Sequence, residues 1–169
     1  GEATILTHAL KFGKKTVKTV MTSVADCTML EVNQKLDMDV ITKIWQTGHS
    51  RIPIYQNSAN NLVGLLLVKD LIVLNPADAT PVRTILSFYG RKIHTVYPDD
   101  SLQKLLQTFK QSNSHMAIVQ EVNNEGDSDP FYETIGIVTL EDIIEEIIGE
   151  EIVDETDIFG KKNIIFLFC

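Results

Sequence analysis

One stretch of this chain recurs in degraded form 72 residues earlier. The stretch is Gly136-Ile-Val-Thr-Leu-Glu-Asp-Ile143, and its counterpart is Gly64-Leu-Leu-Leu-Val-Lys-Asp-Leu71. Each copy has a glycine, a short apolar strand pattern and a helix pattern with an aspartate in its first turn. A recurrence on this scale indicates an internal duplication of one supersecondary unit, so the chain is expected to fold as two copies of that unit.

Both copies show the predicted element order β-α-β-β-α, which indicates an α/β (α+β) fold. In the first copy, Asp37 caps a helix that Gly48 ends. In the second, Asp100 or Ser101 caps the matching helix. The apolar residues at helical spacing are Val40, Ile41, Ile44 and Trp45 in the first copy and Leu102, Leu105, Leu106 and Phe109 in the second. Strands are predicted at 28–32, 49–55, 62–67, 93–96, 114–122 and 134–139, with helices at 68–74 and 140–148 and a linker at 81–91.

The copies differ in the hairpin between their last two strands. The first copy has a turn at 57–61, and Ser50 lies 14 residues before Gly64, whereas Ser114 lies 22 residues before Gly136. Aligning the two serines therefore predicts an insertion of eight residues at 123–130. Long hairpin loops are uncommon in compact domains unless they have a function. A binding loop is one interpretation, and a disordered hairpin tip is the other.

The composition, with 44% apolar and 22% charged residues, is that of an ordinary globular protein. The net charge of -8 is concentrated at 139–157, which holds nine acids and no base. Because no basic stripe could neutralise phosphates along a duplex, nucleic-acid binding is excluded. Two cysteines make no disulfide framework, and no apolar run approaches the roughly 18 residues needed to span a bilayer. The chain is expected to be an excised cytosolic module, with a linker helix at 1–15 and an apolar tail at 158–169.

Thr139 and Asp142 have two possible roles at the start of the acidic helix predicted in the second copy. They could form a capping box, in which each side chain accepts a backbone N–H. They could also serve a nucleotide, since a hydroxyl and free N–H groups at a helix N-terminus suit phosphate oxygens and a carboxylate suits ribose hydroxyls. The first copy has Leu67 and Asp70 at these positions, so we expect only one strong site.

Arg51 is the second candidate, within Ser50-Arg51-Ile52-Pro53. It could be a solvated strand residue, or its guanidinium could bind phosphate beside a proline-stiffened strand. The serine alignment places His115-Met116-Ala117 opposite Arg51-Ile52-Pro53, so the intact features lie on opposite copies. This arrangement predicts one site shared across the repeat interface. Because the acidic helix would repel a free tetra-anionic nucleotide, ATP is expected to bind together with Mg²⁺.

These motifs resemble a pair of cystathionine-β-synthase (CBS) domains, or Bateman module, of the cyclin M (CNNM) magnesium-transport mediators. The resemblance covers residues 16–157. It is carried by Val20-Met-Thr22, Gly48-His-Ser-Arg-Ile-Pro53, Ser114-His115, Asp129-Pro-Phe-Tyr-Glu133 and the stretch from Gly136 to Asp142. It implies CBS domains at 16–80 and 81–157, on the cytosolic side of a plasma-membrane protein. It further implies a non-enzymatic module that binds ATP with Mg²⁺ and forms flat homodimers.

The resemblance also assigns roles to residues. Thr22 and Thr139 would hydrogen-bond the nucleotide, Asp142 would hold the ribose and Arg51 would bind phosphates. The residues lining the site would be His49, Ser50 and Pro53, although the family often has tyrosine at the position of His49.

The inserted loop would dock a phosphatase of the regenerating-liver (PRL) type. Asp129 would mimic a phosphate in the phosphatase active site, and the supporting loop residues are Gly126, Pro130 and Phe131. Two other functions remain open at this stage. One is a protein-interaction scaffold with a vestigial nucleotide cleft, and the other is an AMP-sensing CBS module of another transporter.

Overall fold

The computed structural model describes residues 12–155, and side chains as far as residue 147. The predicted N-terminal helix, apart from its last residues, and the C-terminal tail lie outside the described residues. The α-helices are α1 (Val17–Val20), α2 (Met38–Thr47), α3 (Val82–Tyr89), α4 (Leu102–Ser112) and α5 (Leu140–Glu155). The strands are β1 (Thr22–Ser23), β2 (Leu30–Glu31), β3 (Lys35–Leu36), β4 (Arg51–Gln56), β5 (Ser58–Leu67), β6 (Thr80–Pro81), β7 (His94–Val96), β8 (Met116–Asn123) and β9 (Phe131–Thr139). The 3-10 helices are Val24–Asp26, Val68–Val73 and Pro76–Asp78.

Each repeat is built on a mixed sheet. The first has the order β2-β4-β5 and the second has the order β1-β9-β8-β7. In both, a short strand runs parallel to the first strand of an antiparallel hairpin: β2 beside β4, and β7 beside β8. The hairpins β4–β5 and β8–β9 are the centres of the two units. The predicted fold of two β-α-β-β-α repeats is confirmed.

Capping residues fix the two helices that cover these sheets. The Asp37 carboxylate accepts the Val40 N–H at 2.9 Å, and α2 ends at Gly48, whose φ is 69°. The Ser101 hydroxyl accepts the Lys104 N–H at 3.1 Å at the start of α4. The prediction that Trp45 packs on the core was wrong. It is 54% exposed, whereas its neighbour Ile44 is buried, because Trp45 lies one position past the buried stripe.

The segment at 81–91 was predicted as a linker, and the structure corrects this. It contains α3, which buries Val82 and Ile85 in the core of the first repeat. Residues 16–21 of the chain read TVKTVM and residues 81–86 read PVRTIL, so the lead-in to the second repeat matches the lead-in to the first. This second recurrence, 65 residues apart, was the signal that the prediction missed.

Each lead-in segment packs on the opposite repeat. Val17 is fully buried in the second core, and β1 pairs with β9 at Thr22 and Ile137. In the same way, α3 packs in the first core, and Arg91 pairs with Leu65 on β5. Each core therefore contains residues from both sides of the sequence boundary at residues 80 and 81. This exchange of lead-in segments holds the two repeats together.

Strand register corrects the alignment of the repeats by one residue. Arg51 pairs with Leu67, and Met116 pairs with Thr139, so Met116 is the counterpart of Arg51. The offset of the first hairpin strand is therefore 65 residues, and the insertion is seven residues rather than eight. The first hairpin also turns more tightly than predicted, since β5 already begins at Ser58 after Asn57 with a φ of 65°.

Candidate functional site

A cleft of about 240 Å³ lies where the two repeats meet, next to the start of α5. It is lined by Thr22, Asp26, Cys27, Thr28, Gly48, His49, Ser50, Arg51, Pro53, Met116, Ile137, Thr139, Glu141, Asp142 and Glu145. The lining includes all seven residues that were predicted to bind a nucleotide. The two repeats therefore contribute to one shared cleft, as the placement of intact motifs on opposite copies had indicated.

The first repeat contributes residues from the junction between α2 and β4. Gly48 ends α2 in the left-handed conformation, so the chain turns sharply, and His49 and Ser50 lie exposed at the cleft. Pro53 is buried in β4, the central strand of its sheet. A proline is tolerated there because β2 pairs only with Ile54 and Tyr55, beyond the residue that lacks an N–H.

Thr139 and Asp142 form a reciprocal capping box at the start of α5. The Thr139 N–H donates to Asp142 Oδ2 at 2.8 Å, and the Asp142 N–H donates to Thr139 Oγ1 at 3.3 Å. Burial raises the pKa of the Asp142 carboxyl, and Glu145 and Glu141 raise it further, whereas the two Thr139 hydrogen bonds lower it. The capping interpretation is confirmed, and the same two side chains also line the cleft.

Arg51 crosses from the first repeat to the second. Its Nη2 lies 2.6 Å from Nδ1 of His115, and its Nη1 lies 3.5 Å from Oε1 of Glu141. The Arg51 side chain is 21% exposed, so part of the guanidinium remains accessible from the cleft. A partly buried cation at the mouth of a cleft is a suitable partner for phosphate oxygens.

The chemistry of the cleft fits a nucleotide and favours a metal counter-ion. The lining offers a guanidinium, three threonine hydroxyls and the first turn of a 16-residue helix to phosphate and ribose groups. It also holds four carboxylates, namely Asp26, Glu141, Asp142 and Glu145. Among the described side chains, which end at residue 147, no group of three or more acidic, histidine or cysteine residues could hold a metal ion. The four carboxylates of the lining disfavour a free anionic ligand, and a divalent cation carried by the ligand would offset their charge.

Sequence reasoning missed several lining residues, of which Cys27 is the most distinctive. Its thiol donates to the Ser23 carbonyl at 3.2 Å, and burial, followed by Asp26 and Asp142, raises its pKa to about 11. A thiol with such a pKa is not nucleophilic at neutral pH. Cys27 and Asp26 follow β1, and they reach the cleft only because β1 pairs with β9 across the repeats. No local sequence motif indicates the pairing of β1 with β9.

The inserted loop, at residues 124–130, lies at the opposite end of the β8–β9 hairpin. Residues 124–130 are exposed, Gly126 has a φ of 95°, and Phe131 and Tyr132 are 45% and 57% exposed. The base is fixed, since the Asn123 amide donates to Glu133 at 2.7 Å. Because eight residues of β9, at 131–138, lie between the loop and Thr139, the loop lies roughly 25 Å from the cleft.

A scan of family models matches a CBS domain to residues 83–149. The metal transporter cnnm-1 of Caenorhabditis elegans is 40% identical over 163 residues, which are 95% of this chain and 20% of that protein. The chain thus spans about a fifth of the length of this relative. Among the residues that the structure describes, no helix is both long enough and apolar enough to cross a membrane.

Solved structures match the fold over most of the chain. The CBS domain of a bacterial CNNM/CorC family Mg²⁺ transporter in complex with ATP has a TM-score of 0.71 and is 28% identical, with 88% of this chain and 97% of that chain covered. A CBS-domain pair with bound AMP from Klebsiella pneumoniae has a TM-score of 0.60 and is 24% identical, with 80% and 100% covered. The second similarity concerns the fold alone.

Proposed function

This chain belongs to the CBS-pair modules of the cyclin M (CNNM) family, and we propose that it is a non-catalytic regulatory module that binds ATP together with Mg²⁺ in the cleft between its repeats. The observation that carries the proposal is the meeting of Thr22, Arg51, Thr139 and Asp142 in that cleft. Thr139 and Asp142 would serve the nucleotide from the second repeat, and Arg51 would bind its phosphates from the first. The bacterial relative in complex with ATP supports this assignment.

Calorimetry with ATP, with and without Mg²⁺, tests the proposal. Four carboxylates line the cleft against a single arginine, so a free tetra-anionic nucleotide is repelled. We expect one ATP per chain, with affinity at least about tenfold higher in millimolar Mg²⁺ than in EDTA. AMP carries less charge and should depend less on the metal. Equal ATP affinity with EDTA and with Mg²⁺ would refute the electrostatic argument. If ATP does not bind even with Mg²⁺, the chain is instead a protein-interaction scaffold whose cleft is vestigial.

Self-association is the second part of the proposal. Ile72 and Val73, in the 3-10 helix Val68–Val73, are 79% and 60% exposed, and Ile147 on α5 is 43% exposed. The apolar residues of the helix at 140–148, notably Ile143, Ile144, Ile147 and Ile148, are more than packing on its own sheet needs, but Ile143 is buried in the core of its own repeat and does not belong to this surface. The exposed residues lie on the two elements that follow β5 and β9, so they support a symmetric homodimer in which ATP alters the dimer geometry. Light scattering that found only monomer at high concentration with ATP and Mg²⁺ would refute it.

Partner docking is the third part. An exposed carboxylate at Asp129, next to Pro130 and the exposed Phe131 and Tyr132, supports the docking of a PRL-type phosphatase, with Asp129 in place of a phosphate. The loop would insert into the phosphatase site, and Phe131 would anchor its base. Oxidation of the catalytic cysteine of the phosphatase should block the complex. In the full-length protein, this module would lie on the cytosolic side of a plasma-membrane magnesium transporter or transport mediator.

A further inference from the structure

His115 makes the shortest hydrogen bond that Arg51 has with another side chain. Nδ1 of His115 lies 2.6 Å from Nη2 of Arg51, whereas the contact of Arg51 with Glu141, at 3.5 Å, is at the limit for a hydrogen bond. Guanidinium nitrogens only donate hydrogen bonds. Nδ1 must therefore be the acceptor, which fixes the neutral imidazole in the tautomer that carries its proton on Nε2.

Backbone contacts hold His115 at the start of α5. Its carbonyl accepts the N–H of Leu140 at 2.8 Å, which ties it to the start of α5. It directly precedes Met116, the first residue of β8, and Met116 pairs with Thr139. The backbone of His115 is thus fixed at the same junction that carries the capping box. His115 itself is not among the residues that line the cleft, whereas Arg51 is.

We propose that His115 is a positioning residue for phosphate recognition: its neutral imidazole holds the Arg51 guanidinium at the cleft, so that the arginine meets the nucleotide phosphates already oriented. The inference rests on the proposed binding of ATP. A long arginine side chain loses rotamer freedom on binding a ligand, and a hydrogen bond that fixes it beforehand removes part of that cost from the binding step. His115 would thereby raise affinity without touching the ligand.

Four substitutions distinguish this role from a merely structural one. His115→Asn keeps a neutral acceptor close to the position of Nδ1, whereas His115→Gln moves the acceptor outward toward the position of Nε2. His115→Ala removes the acceptor, and His115→Lys places a cation against Arg51. We expect the alanine and lysine variants to bind ATP with Mg²⁺ about tenfold more weakly, the lysine variant most weakly. The asparagine variant should stay within about twofold of the unchanged protein, and the glutamine variant should fall between.

Adenosine provides the second readout, because it lacks the phosphates that Arg51 would bind. Its affinity should be the same in all five proteins. Equal loss of adenosine and ATP affinity would mean that His115 merely supports the cleft, and unchanged ATP affinity in the lysine variant would mean that Arg51 needs no positioning. Either result overturns the inference. If the unsubstituted protein binds no nucleotide, the proposed function fails instead, and the two failures are distinguishable. The asparagine and glutamine pair keeps the test decisive if the alanine variant does not fold.

Discussion

The two repeats use the same strand end in different ways. In the second, Thr139 supplies a hydroxyl, the capping box forms, and β9 runs directly into the 16-residue α5. In the first, Leu67 has no hydroxyl, no side chain caps the turn, and β5 runs into a 3-10 helix of six residues. The loss of one oxygen atom thus accompanies the loss of a regular helix start, because the first backbone N–H groups of a helix need acceptors.

The two aspartates of this motif also differ in their partners. Asp142 bonds with Thr139 and lines the cleft, whereas Asp70 accepts a hydrogen bond from Arg91 at 3.0 Å. Arg91 belongs to the lead-in of the second repeat, and its backbone pairs with Leu65 on β5. In the first repeat the lead-in therefore pairs with the aspartate, whereas in the second repeat the aspartate lines the cleft. Duplication alone does not make the two strand ends equivalent, since the segments that cross between the repeats differ.

The hairpins show the largest difference, so their test has the largest expected effect. We expect Asp129→Ala to abolish capture of a PRL-type phosphatase in a pull-down, because it removes the proposed phosphate mimic. ATP affinity and melting temperature should stay nearly unchanged, since the loop is exposed and roughly 25 Å from the cleft.

Asp127→Ala is the matched control, because Asp127 is another exposed acid of the same loop. It removes an equal charge without altering the residue before Pro130, and it should leave capture intact. If the Asp129 variant captured as much phosphatase as the unsubstituted protein, the loop would be an ordinary hairpin tip without a role in binding. Loss of capture in both variants would show that the net charge of the loop, and not one carboxylate, attracts the partner.

The second prediction concerns the hydroxyl that distinguishes the two strand ends. Thr139→Ile removes this hydroxyl and adds apolar volume at the cleft, so ATP binding should weaken by about 2 kcal/mol or more, roughly thirtyfold. Leu67→Ile is the control, because it places the same side chain at the matching strand end of the first repeat. It should leave ATP affinity unchanged in calorimetry. A loss of affinity in the Leu67 variant would mean that the first repeat also contributes a site.

The elements that could be predicted from the sequence are those with local signals. The predictions of α2 and α4 were correct because the capping side chain and the apolar periodicity of each helix lie within a few residues of one another. Residues such as Thr22 were correctly grouped with Thr139, but through the family resemblance and not through any local pattern. The repeat register was one residue wrong, because Ser50 and Ser114 were aligned by identity, whereas strand pairing equates Ser50 with His115.

The elements that could not be predicted depend on contacts between the repeats. The segment at 81–91 was predicted as a linker; the helical spacing of Val82, Ile85 and Leu86 indicates a helix there, but not that this helix packs on the first repeat. Cys27 and Asp26 enter the cleft through the pairing of β1 with β9, more than 100 residues away in sequence. The contact between Arg51 and His115 is likewise formed only when the repeats meet. Periodicity and capping carry no information about such contacts.

The third prediction tests the exchanged lead-in segments. A Cβ atom at Gly136 would lie 2.5 Å from the backbone oxygen of Thr22, whereas one at Gly64 would lie 2.7 Å from Cδ1 of the Leu86 side chain. Backbone on a paired strand cannot move away, but a leucine terminus can rotate. We expect Gly136→Ala to destabilise the protein by about 1–3 kcal/mol in urea denaturation, and Gly64→Ala to cost clearly less. Equal losses would show that β1 yields as readily as a side chain.

The smallest expected effect is a difference in stability between variants of Asp142 and Asp70, and for Asp142 it depends on pH. Burial is the main cause of the raised pKa of Asp142, so its proton is bound more tightly in the folded state than in the unfolded state. For a carboxyl shifted in this direction, the contribution to stability is present below the ordinary pKa of 3.8 and is lost as pH rises through the folded-state value. At neutral pH, the buried carboxylate is therefore a net cost to folding.

Asp142→Asn should accordingly gain stability relative to the unsubstituted protein as pH rises from about 4 to about 7, measured by urea denaturation at each pH. The asparagine oxygen can still accept the Thr139 N–H, so the cap is kept while the charge is removed. Asp70→Asn should act in the opposite direction at neutral pH, because it takes away the partner of Arg91, although an ion pair with a half-exposed arginine contributes at most about 1 kcal/mol. If Asp142→Asn were equally destabilising at both ends of this range, the Asp142 carboxylate would be as well satisfied as that of Asp70. The contrast between a carboxylate destabilised by burial at the cleft and one paired with an arginine would then be wrong.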